Sequence, residues 1–489
     1  MLLDLSPTNS PDDSVFVHDF LDRAARRWPS ASALRDSRGN WTFTDLLRNS
    51  RSAARSLRDS GVRPGDRVAV RALPLRETVA LLYGCSRVGA VFLPLAVDMR
   101  TYQRRTVLDD AEPVLVVDDA EEMAALCAPP PGPGDDFEAG TGDDAALFIY
   151  TSGSTARPKA VVCPHRQITF VVGAIAERLG QGPDDIVYCR LPLSFDYGLY
   201  QVFLSALTGA ELVLAEPALR VTLLTDLHEC GATVVPLVPS LATMLVQLAA
   251  RTSQPPPVRA FTNTGEHLST SLAGALRAAF PGSGVHTMFG TTECKRISVM
   301  ERDGDLERPG SVGRPLTGTV VRVVGPNGSP LPPGETGEIV VSGPHVMAGY
   351  WRSPEEDARR FRRDPVSGER RLWTGDFGHL DDDGYLYFAG RRDQIFKLRG
   401  TRTSAQEIEA AALSVEGVAA AAVLPPADGR DAVLFLVSGR PPQEVRRDLT
   451  ELIGPARVPP LCRMLPEMPL TPNGKADRVL LAAQIETDS

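Results

Sequence analysis

Ile149-Tyr-Thr-Ser-Gly-Ser-Thr-Ala-Arg-Pro-Lys159 is the stretch on which the fold turns. The residues leading into it, Ala145 to Tyr150, form an apolar run with the length of a buried strand, and Ala160-Val-Val162 resumes the apolar pattern afterwards. A strand that opens into a loop of small and hydroxylated residues gathers backbone N–H groups and hydroxyls at one spot. With a lysine added, such a loop can wrap a polyphosphate, and Gly153 lets the backbone approach the anion closely. A polar surface turn is the other reading of the same residues. The loop is not a Walker loop, which needs Gly-Lys-Ser/Thr at fixed spacing, and no Gly-x-Gly-x-x-Gly fingerprint opens a helix here.

Working outward, 489 residues suffice for two or more domains with a well-buried core. The apolar fraction of 43% and charged fraction of 23% are those of a soluble globular chain. A net charge of −9 argues against a general nucleic-acid or anionic-membrane surface, and pairs such as Arg370-Arg371 and Arg391-Arg392 are too short to reverse this. The seven cysteines are scattered with no Cys-x-x-Cys pair, as expected of thiols in a reducing cytoplasm. Met1-Leu-Leu-Asp-Leu-Ser6 lacks the basic and apolar regions of a signal peptide. No apolar run reaches membrane-spanning length, so a cytoplasmic protein is expected.

Short apolar runs (67–72, 90–95, 113–118, 211–215 and 232–236) alternate with amphipathic segments such as Thr78 to Val88 and Ser240 to Arg251. That alternation predicts βαβ units and largely parallel sheets. After Pro326-Asn-Gly-Ser-Pro-Leu-Pro-Pro-Gly334, Glu338-Ile-Val-Val-Ser342 reads as a strand of a β-rich subdomain. Ser353-Pro-Glu-Glu356 offers an N-cap, a proline at the first helical position and a carboxylate three residues on, opening a charged, solvent-facing helix.

Further segments with unusual chemistry follow in order: Phe195-Asp-Tyr-Gly198, Asn263-Thr-Gly-Glu266, Phe289-Gly-Thr-Thr-Glu293, Trp373-Thr-Gly-Asp376, Gly390-Arg-Arg-Asp393 and Pro472-Asn-Gly-Lys-Ala-Asp-Arg478. With the loop at 151–159, this series resembles the adenylate-forming superfamily of acyl-CoA synthetases, nonribosomal peptide synthetase adenylation domains and firefly luciferase. The resemblance runs from about Thr42 to Arg478. Each motif is weak alone; their order and spacing together are specific.

The resemblance implies an α/β fold: a large N-terminal portion of layered α/β subdomains plus a β-rich subdomain (1–391), and a small mobile α+β C-terminal domain (392–489). It implies ATP and Mg²⁺ as cofactors. Thr151, Ser152, Gly153, Ser154, Thr155 and Lys159 would hold the β- and γ-phosphates, and Phe289 would pack on adenine. Gly265 and Glu266 would line the adenine side, while Asp376 accepts from both ribose hydroxyls and Arg391 adds a charged contact. Thr292 would contact the α-phosphate, and Glu293 would hold the metal, a hard cation that takes few protein ligands. Lys475 would bridge the attacking carboxylate and the α-phosphate, where negative charge is shared in the transition state. Thr292 and Glu293 act with it, and Asp393 would be the hinge of the small domain. The chain departs from the family in having Ala156 and Ala160 where glycine is usual, and Phe289 where tyrosine is common.

The same correspondence points Asp196, Tyr197, Tyr200, Pro236, Thr262, Thr264, Met288, Arg296 and Ile297 at the acid. Asp196 would pair with a substrate ammonium, or else cap the helix that begins near Tyr197. Lys295-Arg296 would instead form a surface pair if Arg296 does not belong to that wall. His165 and His267 receive no catalytic role. The resemblance thus implies activation of a small carboxylic acid, an amino acid in the first instance, as its acyl-adenylate. No phosphopantetheine-bearing segment follows Arg478 in this sequence. The expected acceptor is therefore the phosphopantetheine thiol of a separate carrier protein, with coenzyme A as the alternative. A catalytically silent nucleotide-binding protein is the competing reading from another class; no nucleic-acid or membrane partner is expected.

Overall fold

The computed structural model describes residues 16–128, 140–151, 158–216, 222–252, 254–391, 394–399, 401–427, 430–471 and 474–486. Its larger part is built on two sheets with helices between and around them. In the first sheet, Gly284–Phe289, Ala260–Asn263, Val234–Leu237, Ile186–Cys189, Glu211–Leu214 and Ser32–Asp36 run parallel in that spatial order. Antiparallel strands close both of its edges. In the second, Ala145–Thr151, Val91–Leu95, Arg67–Arg71 and Leu115–Val117 are parallel, and Lys159–Pro164 returns antiparallel beside Ala145–Thr151. Near-continuous Val, Leu, Ile and Phe in these strands fit burial on both faces.

Between the sheets, the helices Arg76–Arg87 and Asp196–Thr208 are buried along their whole length. Arg76–Arg87 touches strands of both sheets, which explains an apolar character all round rather than on one stripe. The helix Phe43–Asp59 starts cleanly because Thr42 and Asp45 form a reciprocal capping box. Residues 320–391 make a five-stranded antiparallel sheet, in which Gly337–Ser342 pairs with both Val320–Val324 and Arg370–Leu380. This is the β-rich part expected from the sequence.

One hydrophobic cluster extends from Val17 to Leu386, and two separate clusters draw on residues 396–464 and 420–485. In the C-terminal part, Val418–Leu424, Val433–Ser438 and Leu461–Met464 form a three-stranded sheet packed by Ala405–Ser414, Pro442–Ile453 and Arg478–Glu486. Among the described residues, no helix is long and apolar enough to cross a membrane.

Local details depart from the sequence reading. The helix Pro354–Arg360 has proline at its start as expected, but the Ser353 side chain makes no cap bond and Glu356 reaches elsewhere. Phe195, without a side-chain cap, is the N-cap of Asp196–Thr208. Asp196 is therefore the first helical residue and not the cap. A carboxylate in that position is still favoured by the helix dipole.

Candidate active site

The parallel strands of the first sheet end together, and the loops that follow their carboxyl ends surround a cavity of about 400 Å³. This is where ligands sit in open α/β sheets. Asp196, Thr264–Glu266 and Gly290–Glu293 lie beyond the ends of Ile186–Cys189, Ala260–Asn263 and Gly284–Phe289 respectively. The second sheet contributes Thr151 and Lys159, which are cross-strand partners at the mouth of the loop. Ser152, Gly153, Ser154 and Thr155 lie outside the described residues, as does Asp393.

On the nucleotide side, Phe289 closes its strand and packs against Phe388 with ring centroids 5.0 Å apart, leaving a flat apolar surface for a base. The chain then doubles back tightly: Ile297 N–H donates to the Phe289 carbonyl at 2.8 Å. A Cβ on Gly290 would lie 2.0 Å from the Lys295 carbonyl oxygen, so only glycine fits there. Asp376 is 5% exposed and stands opposite Arg391 in the strand register, 3.7 Å from its Nε. The Thr374 hydroxyl accepts from the Asp376 backbone and donates to the Ile339 carbonyl, fixing that corner.

The Glu293 carboxylate is on the cavity wall and accepts from the Tyr350 hydroxyl. A single carboxylate facing space for phosphate oxygens and water suits Mg²⁺, which seldom takes a full protein cage. Lys159 Nζ is 3.1 Å from Glu356, which also lines the cavity.

At the acid end, Asp196, Thr264, Met288 and Arg296 reach the wall, with Lys295 beside them. Tyr197, Tyr200, Pro236, Thr262 and Ile297 do not line the cavity. They form the layer behind it. The Tyr197 hydroxyl is bonded to Thr262 Oγ1 at 2.6 Å, and both tyrosine rings lie beneath cations. The Arg296 guanidinium is 5.0 Å from the Tyr197 ring, and Lys295 Nζ is 5.6 Å from the Tyr200 ring.

The surface-pair reading of Lys295-Arg296 fails, because the two residues are 2% and 5% exposed. Lys295 has φ +62°, and this left-handed residue turns the pair inward. Among the described residues, Lys295 Nζ and Arg296 Nε have no hydrogen-bond partner. Burial lowers the Arg296 pKa, opposed by the nearby Asp196 carboxylate. Two buried cations thus share this part of the wall with the buried Asp196 carboxylate.

Lys475 enters from the small domain. Its turn is held by Thr471, whose hydroxyl accepts from the Lys475 amide and whose amide donates to the Lys475 carbonyl. Gly474 has φ +79° and packs so closely that a Cβ would lie 2.7 Å from Ser240 Oγ. The Lys475 ammonium points to Gly265, 3.9 Å from where a Cβ would stand. Glu266 is beside it, its pKa raised to about 7 by burial, with Lys475 pulling the other way. His267 lines the same region and has a pKa lowered by burial. His165 lies away from the cavity, accepting from Val17 N–H with a pKa lowered by burial to about 4.

The structure thus brings together Thr151, Lys159, Asp196, Thr264, Gly265, Glu266, Met288, Phe289, Thr292, Glu293, Arg296, Asp376, Arg391 and Lys475 around one cavity. Sequence reasoning missed Lys295, Tyr350, Glu356 and Arg360 on the same wall. For Lys295 a signal existed: the apolar Ile-Ser-Val-Met that follows marks a segment running inward.

A model of the AMP-binding enzyme family matches residues 21–351, and one of the AMP-binding enzyme C-terminal domain matches 407–475. Enterobactin synthase component F of Escherichia coli (strain K12) is 30% identical, covering 94% of this chain and 38% of that protein. The chain spans between 6% and 42% of the length of the curated relatives it matches. Among solved structures, VinN is 43% identical with a TM-score of 0.70, covering 77% of this chain and 99% of that one, and has also been solved with L-aspartate. O-succinylbenzoate CoA synthetase of Bacillus subtilis, solved with its acyl-adenylate intermediate, is 27% identical with a TM-score of 0.82 and covers 94% of this chain and 97% of that one. With both family models matched in order, and the family's nucleotide and lysine positions gathered at one cavity, the chain belongs to the AMP-binding enzymes, the AMP-forming ligases that activate an acid as its acyl-adenylate.

Proposed function

We propose that this chain is an ATP- and Mg²⁺-dependent ligase for an amino acid that carries a second carboxylate. The acyl group then passes to the phosphopantetheine thiol of a carrier protein. One observation carries the reading: buried Asp196 shares the acid wall with buried Lys295 and Arg296. A substrate ammonium beside Asp196 and a non-reacting carboxylate beside the two cations would leave no charge there uncompensated. A neutral amino acid would leave the cations unpaired in a desolvated site. That VinN has been solved with L-aspartate and with 3-methylaspartate supports the same substrate class.

In the first step an oxygen of the reacting carboxylate attacks the α-phosphorus, the bond to the β-phosphate oxygen breaks, and pyrophosphate leaves. Phe289 and Phe388 receive the base, and Asp376 accepts from the ribose hydroxyls. Thr151 and Lys159 face the departing phosphates, and Thr292 the α-phosphate. Lys475 supplies positive charge where carboxylate and α-phosphate meet, a stabilisation realised mainly in the transition state. Glu293 would hold Mg²⁺, which would supply neutralisation of phosphate charge. In the second step the thiol sulfur attacks the acyl carbon and AMP leaves.

ATP–pyrophosphate exchange tests this. Expected is exchange with aspartate, glutamate or a substituted homologue, and little with neutral or amine-free acids. Best exchange with an aryl or fatty acid would refute the acid-wall reading. Product captured on coenzyme A and not on holo-carrier protein would favour the acyl-CoA ligase reading, to which the CoA synthetase likeness lends weight.

A further inference from the structure

Lys159 is the cation at the polyphosphate end of the cavity, yet it already has an anion. Its Nζ lies 3.1 Å from Glu356 Oε2, with side-chain exposures of 16% and 24%. Strand register fixes the pairing: Gly349 and Tyr350, just upstream of Glu356, pair with Val162 and Val161 on the strand that Lys159 begins. The other oxygen of the same carboxylate, Oε1, is 3.1 Å from Arg359, which is 71% exposed and does not line the cavity. Glu356 thus stands between a cation inside the site and one outside it. Both lysine and arginine hold its pKa below the usual carboxylate range.

We propose that Glu356 is a positioning residue that parks Lys159 until a polyphosphate arrives and then releases it, Arg359 keeping the carboxylate's charge balanced. This rests on the reading of Lys159 as a phosphate ligand. A carboxylate this close to Lys159 also stands near the incoming polyanion, so it opposes ATP and pyrophosphate twice, by competing for the lysine and by repulsion. Ion pairs that are partly exposed are weak enough to be exchanged in this way. The carboxylate therefore favours pyrophosphate departure.

Calorimetric binding of inorganic pyrophosphate to the whole chain, with and without Glu356→Gln, tests it. Glu356→Gln should tighten pyrophosphate, and lower KM for ATP, about three- to fivefold, the scale of a partly exposed pair. KM for the acid should stay unchanged. Arg359→Ala, which leaves Glu356 to Lys159 and the nearby Arg360, should shift both values the opposite way. In a Lys159→Ala background the gain from Glu356→Gln should shrink markedly. Weaker pyrophosphate binding in Glu356→Gln at unchanged melting temperature would overturn the proposal, because the carboxylate would then orient the lysine for its ligand. An unchanged affinity would overturn it too. Tighter pyrophosphate binding in a chain that exchanges with no acid would uphold the inference while sinking the proposed function.

Discussion

Arg296 and Lys295 concentrate the chemistry that distinguishes this site. Each is a buried cation on the cavity wall, and the charged end of each lies over a tyrosine ring. Removing one partner of a buried charge contact costs more than the contact contributes, because the other charge stays desolvated. Arg296→Ala should therefore lower kcat/KM for the acidic amino acid by about 30-fold or more, read by ATP–pyrophosphate exchange. ATP affinity should be little altered. Lys475→Ala should slow adenylate formation by about 10²–10³, the scale of losing one preorganised charge at the reacting atoms. Release of acyl-adenylate measured in single turnover checks it; an unchanged rate would remove Lys475 from the mechanism. The family resemblance pointed to Asp196, Thr264, Met288 and Arg296, which reach the cavity wall, and equally to Tyr197, Tyr200 and Thr262, which stand off it. Their positions along one helix and one strand are right, yet which side faces the cavity depends on the sheets that enclose them.

At the scale of elements, tight turns do what the strands cannot. The Phe289–Ile297 turn inverts the chain so that Glu293, Lys295 and Arg296 all reach the cavity wall. The sequence displays its glycine and its charges, but not the left-handed Lys295 that points them inward. The alternation of apolar runs and amphipathic segments was enough to read the two parallel sheets, because buried strands leave long apolar signatures. The role of Pro354–Arg360 was hidden: its charges look solvent-facing until Glu356 meets Lys159, more than a hundred residues earlier in the chain. The turn at Gly474 is equally demanding. Gly474→Ala should weaken catalysis more than stability, since a Cβ would both strain φ +79° and collide with Ser240. A several-fold lower exchange rate with a nearly unchanged melting temperature is expected; a large fall in melting temperature would make the turn a folding element instead.

Over the whole molecule, burial of titratable groups sets how stability responds to pH. His18, His165 and His345 have pKa values lowered from 6.5 to about 3, about 4 and about 4 by burial. Their contribution is present above pH 6.5 and is lost as pH falls toward 4, because unfolding lets each ring take up a proton. Glu266 works in the opposite sense: raised from 4.5 to about 7, it favours the folded chain below pH 4.5 and ceases to do so as pH rises through 7. Melting temperature should drop on acidification from pH 6.5 to 4, and His165→Gln should flatten that limb. A limb unchanged by the substitution would show that other groups govern acid unfolding.

The two domains meet over the cavity, so nucleotide groups from the large domain and Lys475 from the small one converge only in the folded whole. The most direct test of the central claim is the ratio of kcat/KM for aspartate to that for asparagine in ATP–pyrophosphate exchange. The pair differs by one carboxylate in nearly the same volume. A site that reads that group through Lys295 and Arg296 should prefer aspartate by about 10²-fold or more, since buried cations would otherwise go unpaired. Equal rates, or a preference for asparagine, would contradict the account.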